Sequence, residues 1–180
     1  AREYSQVDAL HGGLPDFPRS FTGKGVLIGV IDTGFDFMHP AFRDAEGNSR
    51  IVHVWDQSGR NGNTPSMGYG VVFDTPELIR SAAHDVSRDT HGTHVAAIAA
   101  SSADVYKGMA PESDIVVVAT DKSESGIIDA LAYLLDYAEK EKKPIAINLS
   151  MGTVIGFKDG TDPIASMIDE LLDKSGKKCL

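Results

Sequence analysis

Two histidines three residues apart, His91 and His94, sit in Arg88-Asp89-Thr90-His91-Gly92-Thr93-His94-Val95-Ala96-Ala97-Ile98-Ala99-Ala100. The polar opening runs into small, helix-forming residues. A helix of glycine and alanine can lie close against a sheet, which holds a side chain at its first turn rigidly. Imidazole takes and gives protons near neutral pH, so His91 at that mouth is a candidate general base. A base needs an acid to orient it. Val26-Leu27-Ile28-Gly29-Val30-Ile31-Asp32-Thr33-Gly34 supplies one: apolar, mostly β-branched residues ending in Asp32 read as a buried parallel strand over 26–32. Chemistry in open α/β sheets gathers at the carboxyl ends of strands, so acid and base are expected at the same end of one sheet.

Metal binding is a second reading of the same region, because His84, Asp85, Asp89, His91 and His94 fall within eleven residues, 84–94. His91 and His94 lack the i, i+4 spacing that puts two imidazoles on one helix face, and no glutamate follows as a base. The site residues predicted here therefore include no metal ligand. His94 is expected to be a buried, hydrogen-bonded packing residue and His84 a surface one.

The elements that must position these residues follow in chain order. A polar lead-in with a helical turn near 7–10 is broken by Gly12, Gly13, Pro15 and Pro18. A second strand covers 50–57, a Gly/Asn/Ser-rich loop 58–70, and a short strand 69–73 that forms a hairpin arm with the one before. Thr75 and Pro76 open a helix over 76–83. Residues 114–120 form a parallel strand. Residues 127–142 form a helix whose apolar positions Ile127, Ile128, Leu131, Leu134, Leu135 and Ala138 share a face. Strand 144–150 follows. Asp162-Pro163 starts the last helix, with Ile164, Ile168, Leu171 and Leu172 as its apolar face and Gly176 as its stop. Residues 177–180 read as the start of a fifth strand. The fold class expected is α/β: three layers around a mainly parallel, doubly wound sheet, incomplete at its C-terminal half.

Ile31-Asp32-Thr33-Gly34 followed by His91-Gly92-Thr93-His94-Val95-Ala96 resembles the subtilisin-like serine peptidases, the subtilases. Phe21-Thr22-Gly23-Lys24-Gly25, His39-Pro40, Lys107-Gly108-Met109-Ala110-Pro111 and Asn148-Leu149-Ser150-Met151-Gly152 are similar to further family stretches in the same order, so the resemblance runs over about residues 7–180. It implies that residues 1–180 are the N-terminal part of one peptidase domain. The 59 residues from Asp32 to His91 (91 − 32) imply a surface insertion near 44–88. It also implies peptide-bond hydrolysis by an Asp-His-Ser triad in which Asp32 orients, His91 is the base, and Ser123, Ser125, Gly126, Ser150, Met151 and Gly152 border the substrate cleft. No Gly-Thr-Ser occurs in the sequence, and the family's oxyanion asparagine has no counterpart. The expectation is thus a fragment inert by itself, with a polypeptide as its partner. The alternative is a non-catalytic, subtilase-like module that binds extended peptides or regulates. Apolar-apolar-Asp-Thr-Gly is also the signature of aspartic peptidases, which pair two such loops. One copy occurs here, and strand–helix alternation weighs against that reading. Calcium is the one structural ion the family pattern admits, in the loop 101–107, where Asp104 is the sole carboxylate. No other cofactor is expected.

A chain of 180 residues with 42% hydrophobic content is long enough for one domain with a core, and its net charge of −9 argues against nucleic acid or an anionic membrane as partner. It contains no apolar run long enough to span a membrane. The single cysteine, Cys179, excludes an internal disulfide framework. With no signal-like segment at Ala1, the expectation is a bacterial secreted or cell-envelope protein without its signal peptide, the cytoplasm being the other compartment that fits. Ending at Leu180 would leave strand 144–150 as an open edge, where self-association is expected.

Overall fold

The computed structural model describes residues 2–13, 19–60, 62–87, 89–152, 157 and 159–175. Two short helices, α1 (Arg2–Ser5) and α2 (Val7–Gly12), lead in. They are tied to the body where the Arg2 guanidinium donates to Gly108 O at 2.5 Å and His11 Nε2 meets Met109 O at 2.9 Å. The strands are β1 (Leu27–Asp32), β2 (Ile51–Asp56), β3 (Val71–Phe73), β4 (Asp114–Ala119) and β5 (Ile145–Leu149). The longer helices are α3 (Pro76–Ala82), α4 (His91–Ala100), α5 (Glu124–Glu141) and α6 (Pro163–Ser175).

The strands form one sheet in the order β3-β2-β4-β1-β5. All neighbours are parallel except β3, which returns antiparallel along β2 as the expected hairpin arm. Side chains on a strand alternate between faces, and here both faces are covered. Val30, Val54, Ile115 and Val117 join Ala96 and Ala100 of α4 in one core. Leu27, Ile31, Trp55, Val116 and Val118 join Ala130, Leu131, Leu134 and Ala138 of α5 in the other. This is the three-layer α/β architecture expected from the sequence.

Ser123 caps α5 by accepting from Gly126 N at 2.9 Å. The helix therefore begins at Glu124 rather than at 127. β5 pairs only with β1 among the described residues, and its far edge is open. α6 buries none of its residues fully and rests against α5. The stop at Gly176 and the strand expected over 177–180 lie outside the described residues. No helix among the described residues is long and apolar enough to cross a membrane.

Candidate active site

Asp32 is the last residue of β1 and has the same alternation as Val30, so it faces the α4 layer. It is 2% exposed. Both of its carboxylate oxygens lie 2.9 Å from His91 Nδ1, and Oδ1 also accepts from Thr33 N at 2.7 Å. His91 is the first residue of α4 and keeps half its side chain in solvent. An Nδ1–H that donates to Asp32 leaves the lone pair on Nε2, the tautomer a general base needs.

The pair is held by an interlock between the turn after β1 and the first turn of α4. Gly92 N donates to Thr33 O at 2.7 Å and Thr93 N to Gly34 O at 3.0 Å. Thr93 Oγ1 donates to Gly34 O at 2.9 Å and accepts from Asp36 N at 2.8 Å. Both glycines are required by the closeness of this approach. Gly34 has φ +82°, and a Cβ there would stand 2.5 Å from the Asp89 carbonyl carbon; a Cβ on Gly92 would stand 2.8 Å from the Phe35 ring and from Thr33 O. Asp89 Oδ1 accepts from Thr90 N at 2.6 Å and His91 N at 3.0 Å. Those bonds hold its carboxyl below the usual range and place a negative group at the positive end of the helix.

Asp85, which the sequence reading left among metal candidates, braces the turn that carries Asp32. It is 2% exposed. Its Oδ2 accepts from Gly34 N at 2.8 Å and its Oδ1 from Ser87 N at 3.1 Å, so it ties the turn behind Asp32 to the segment that leads into His91. Burial pushes its carboxyl above the usual range. An acid six residues ahead of His91 was the only available signal. Thr93 carried another: a β-branched hydroxyl in the first turn of an alanine-rich helix is a poor helix former there and needs a reason.

The other predicted residues divide. Ser123 is occupied as the α5 cap. Gly126 is buried, and its N–H and C=O are bonded to Ser123 Oγ and Gln57 Nε2 inside the fold, so it offers no free backbone partner. Ser125 is exposed beside Ser123. Ser150, Met151 and Gly152 follow β5 at the same end of the sheet as Asp32; Ser150 Oγ donates to Asn148 Oδ1 at 2.8 Å and Gly152 is open. His94 is exposed, not a buried packing residue. The stripe that seats α4 is Gly92, Ala96 and Ala100, and residue 94 lies about 200° around the helix from Gly92. His84 is exposed, as expected. Among the described residues no three His, Cys, Asp or Glu side chains converge on a metal position. The loop 101–107 brings one exposed carboxylate, Asp104, and that does not fit the shell of several oxygens that calcium requires.

The model of the subtilase family matches residues 23–178. The chain is a subtilase. It is 32% identical over 139 residues to the subtilisin-like protease PopC of Myxococcus xanthus, covering 72% of the chain and 25% of that protein. It is 30% identical over 165 residues to the serine protease AprX of Bacillus subtilis, covering 84% of the chain and 31% of AprX. The structure of the Clostridium perfringens CspB protease superposes with a TM-score of 0.71 at 29% identity, over 89% of this subtilase and 36% of CspB. The chain thus spans about a quarter to a third of these relatives, and its Asp32–His91 pair lies where β1 ends and α4 begins.

Proposed function

We propose that this chain is the N-terminal part of the catalytic domain of a serine endopeptidase, and that it is inactive without the remainder. The observation that carries this reading is His91 Nδ1 at 2.9 Å from both oxygens of Asp32, on an imidazole side chain that is half exposed. In the reaction, Nε2 removes the proton from a serine hydroxyl as its oxygen adds to the peptide carbonyl. The imidazolium returns that proton to the departing amine. Water then enters by the same route to release the acid and regenerate the serine. Asp32 keeps the ring in the productive tautomer and faces the imidazolium that forms. The nucleophile and the oxyanion donor would come from outside residues 1–180.

The open edge of β5 supports a second reading, in which the same fold binds extended peptides as an added strand without cutting them. That edge also supports pairing between copies of the chain, which concentration-dependent mass in light scattering would reveal and a monomer at high concentration would refute.

The deciding experiment compares residues 1–180 with a protein extended to the length of the relatives, on an unstructured peptide substrate. The expected result is no hydrolysis by the shorter chain. In the longer one His91→Ala should lower kcat by about 10²–10⁴-fold or more. Hydrolysis by residues 1–180 that His91→Ala abolishes would refute the inactivity. Peptide binding without hydrolysis by the longer protein would favour the second reading.

A further inference from the structure

The joint between β1 and α4 has a third member. The segment that leads to His91 runs back along the chain leaving β1. Phe37 N donates to Ala83 O at 2.8 Å and Asp85 N to Phe35 O at 3.2 Å, with Asp36 and His84 as the bridging pair between them. This pairing brings the Asp85 carboxyl to the turn after Asp32, where Oδ2 accepts from Gly34 N at 2.8 Å.

Two peptide units of that turn are held from both sides. The Thr33–Gly34 peptide accepts from Gly92 N at Thr33 O, 2.7 Å, and donates its own N–H, that of Gly34, to Asp85. The Gly34–Phe35 peptide accepts from Thr93 N at Gly34 O, 3.0 Å, and its N–H, that of Phe35, also acts on the Asp85 carboxyl. Each peptide links a carboxylate on one side to an N–H in the first turn of α4 on the other. An anion at a peptide N–H makes the carbonyl of that peptide a stronger acceptor, because hydrogen bonds in a chain polarise one another. The positive end of α4 faces a negative side chain through a single peptide. Asp85 Oδ1 accepts from Ser87 N at 3.1 Å, four residues ahead of His91. His91 is anchored to one turn both before and after its own position.

The type of acceptor matters. Asp85 is 2% exposed, and no lysine or arginine forms an ion pair with it among the described residues. Burial pushes its carboxyl up, and the amides of Gly34, Phe35 and Ser87 oppose that. A neutral side chain with one acceptor would close this loop without burying a charge. An ionised carboxylate is acceptor-only and meets several converging N–H groups at once. His91 keeps half its side chain in solvent, so packing fixes its ring only in part. Its distance to Asp32 depends on where the first turn of α4 sits.

We propose that Asp85 is a positioning residue for the Asp32–His91 pair: its carboxylate, acting through the Thr33–Gly34 peptide, fixes the first turn of α4 and with it the approach of His91 Nδ1 to Asp32. This inference rests on the peptidase reading and adds a residue to the same site.

The test reads geometry in the 180-residue chain and catalysis in the extended protein. In ¹⁵N-labelled residues 1–180, Asp85→Ala should shift or broaden the His91 Nδ1–H resonance. Asp85→Asn keeps an oxygen for Gly34 N but loses the charge, and it should move the resonance too. Ala138→Gly weakens α5 on the opposite face of the sheet, and it should lower the urea midpoint while leaving the resonance in place. In the extended protein Asp85→Asn should lower kcat by about 10- to 100-fold and leave KM within about twofold, the split expected of a group that places the base rather than the substrate. In the wild-type chain the Gly34 amide should exchange slowly with solvent. A His91 resonance that stays in place in a folded Asp85 variant, one that moves as far in Ala138→Gly, or a kcat unchanged by Asp85→Asn would each overturn the proposal. So would a Gly34 amide that exchanges as fast as an exposed loop amide, a measurement that decides even if neither Asp85 variant folds. The resonance and exchange measurements need no hydrolysis. An extended wild-type protein without His91-dependent hydrolysis would refute the peptidase reading and leave the geometric result standing.

Discussion

The geometry of the pair depends on an absent side chain. Gly92 sits where α4 meets the turn after Asp32, and the space a Cβ would need is occupied by the Phe35 ring and Thr33 O. Phe35 is 2% exposed and stacked with Phe37, so it has nowhere to move. Gly92→Ala should therefore push the start of α4 away from the sheet and lengthen the His91–Asp32 bond. The expected loss is about 2 kcal/mol, read as a lower urea midpoint, together with a shifted or broadened His91 Nδ1–H resonance. An unchanged midpoint with an unchanged resonance would show that the helix seat is looser than described. Asp32 and His91 were legible in the sequence because their types, their neighbours and the elements they terminate all point to one chemistry. Asp85 was not legible as their support. It reads as loop, and only the fold brings its carboxyl to the Gly34 amide.

At the level of elements, α4 is fixed at both ends. Asp89 receives its first amides, and at the other end the buried guanidinium of Arg50 donates to Ala100 O, to Ser113 O at 2.8 Å and to Ala41 O at 3.4 Å. A cation at the carboxyl end of a helix suits its dipole. Here it also ties three separate segments beneath the sheet, so the helix that presents His91 is anchored far from the chemistry. The sequence disclosed that α4, β1 and β4 exist, because small-residue and β-branched runs have few other uses. It disclosed the apolar stripe of α5 through its 3.6-residue period. It did not disclose phase: the period of a short alanine-rich helix leaves open which side meets the sheet, and His94 was assigned to the wrong one. Nor could it show the register slip of β2 between Ile51 and His53, which is set by pairing with β4 about sixty residues downstream, or the burial of Arg50, whose three acceptors lie at positions 41, 100 and 113.

For the molecule as a whole, the two cores respond differently to acid. Between β2 and α5, His53 is 8% exposed, its Nε2 lies 2.7 Å from Tyr133 Oη, and burial brings its pKa down to about 4. An unfolded histidine titrates near 6.5, so below that pH the unfolded chain takes up a proton that the fold refuses. Stability that His53 supports is complete above about 6.5 and falls as pH drops toward 4, by about 1.4 kcal/mol per unit. Asp56 and Asp85 act with the opposite sign: their carboxyls are raised in the fold, so the fold takes up protons before the unfolded chain does and gains from acid. The phenol of Tyr133, pushed up to about 12 by burial, stays neutral throughout this range and contributes no slope. His53→Phe separates these effects, since it leaves both carboxyls in place. Between pH 7 and 4.5 the wild-type chain should lose about 2–3 kcal/mol more unfolding free energy in urea than the variant does. Equal losses in the two proteins would mean that His53 is protonated in the fold, and that the aromatic packing against α5 admits water.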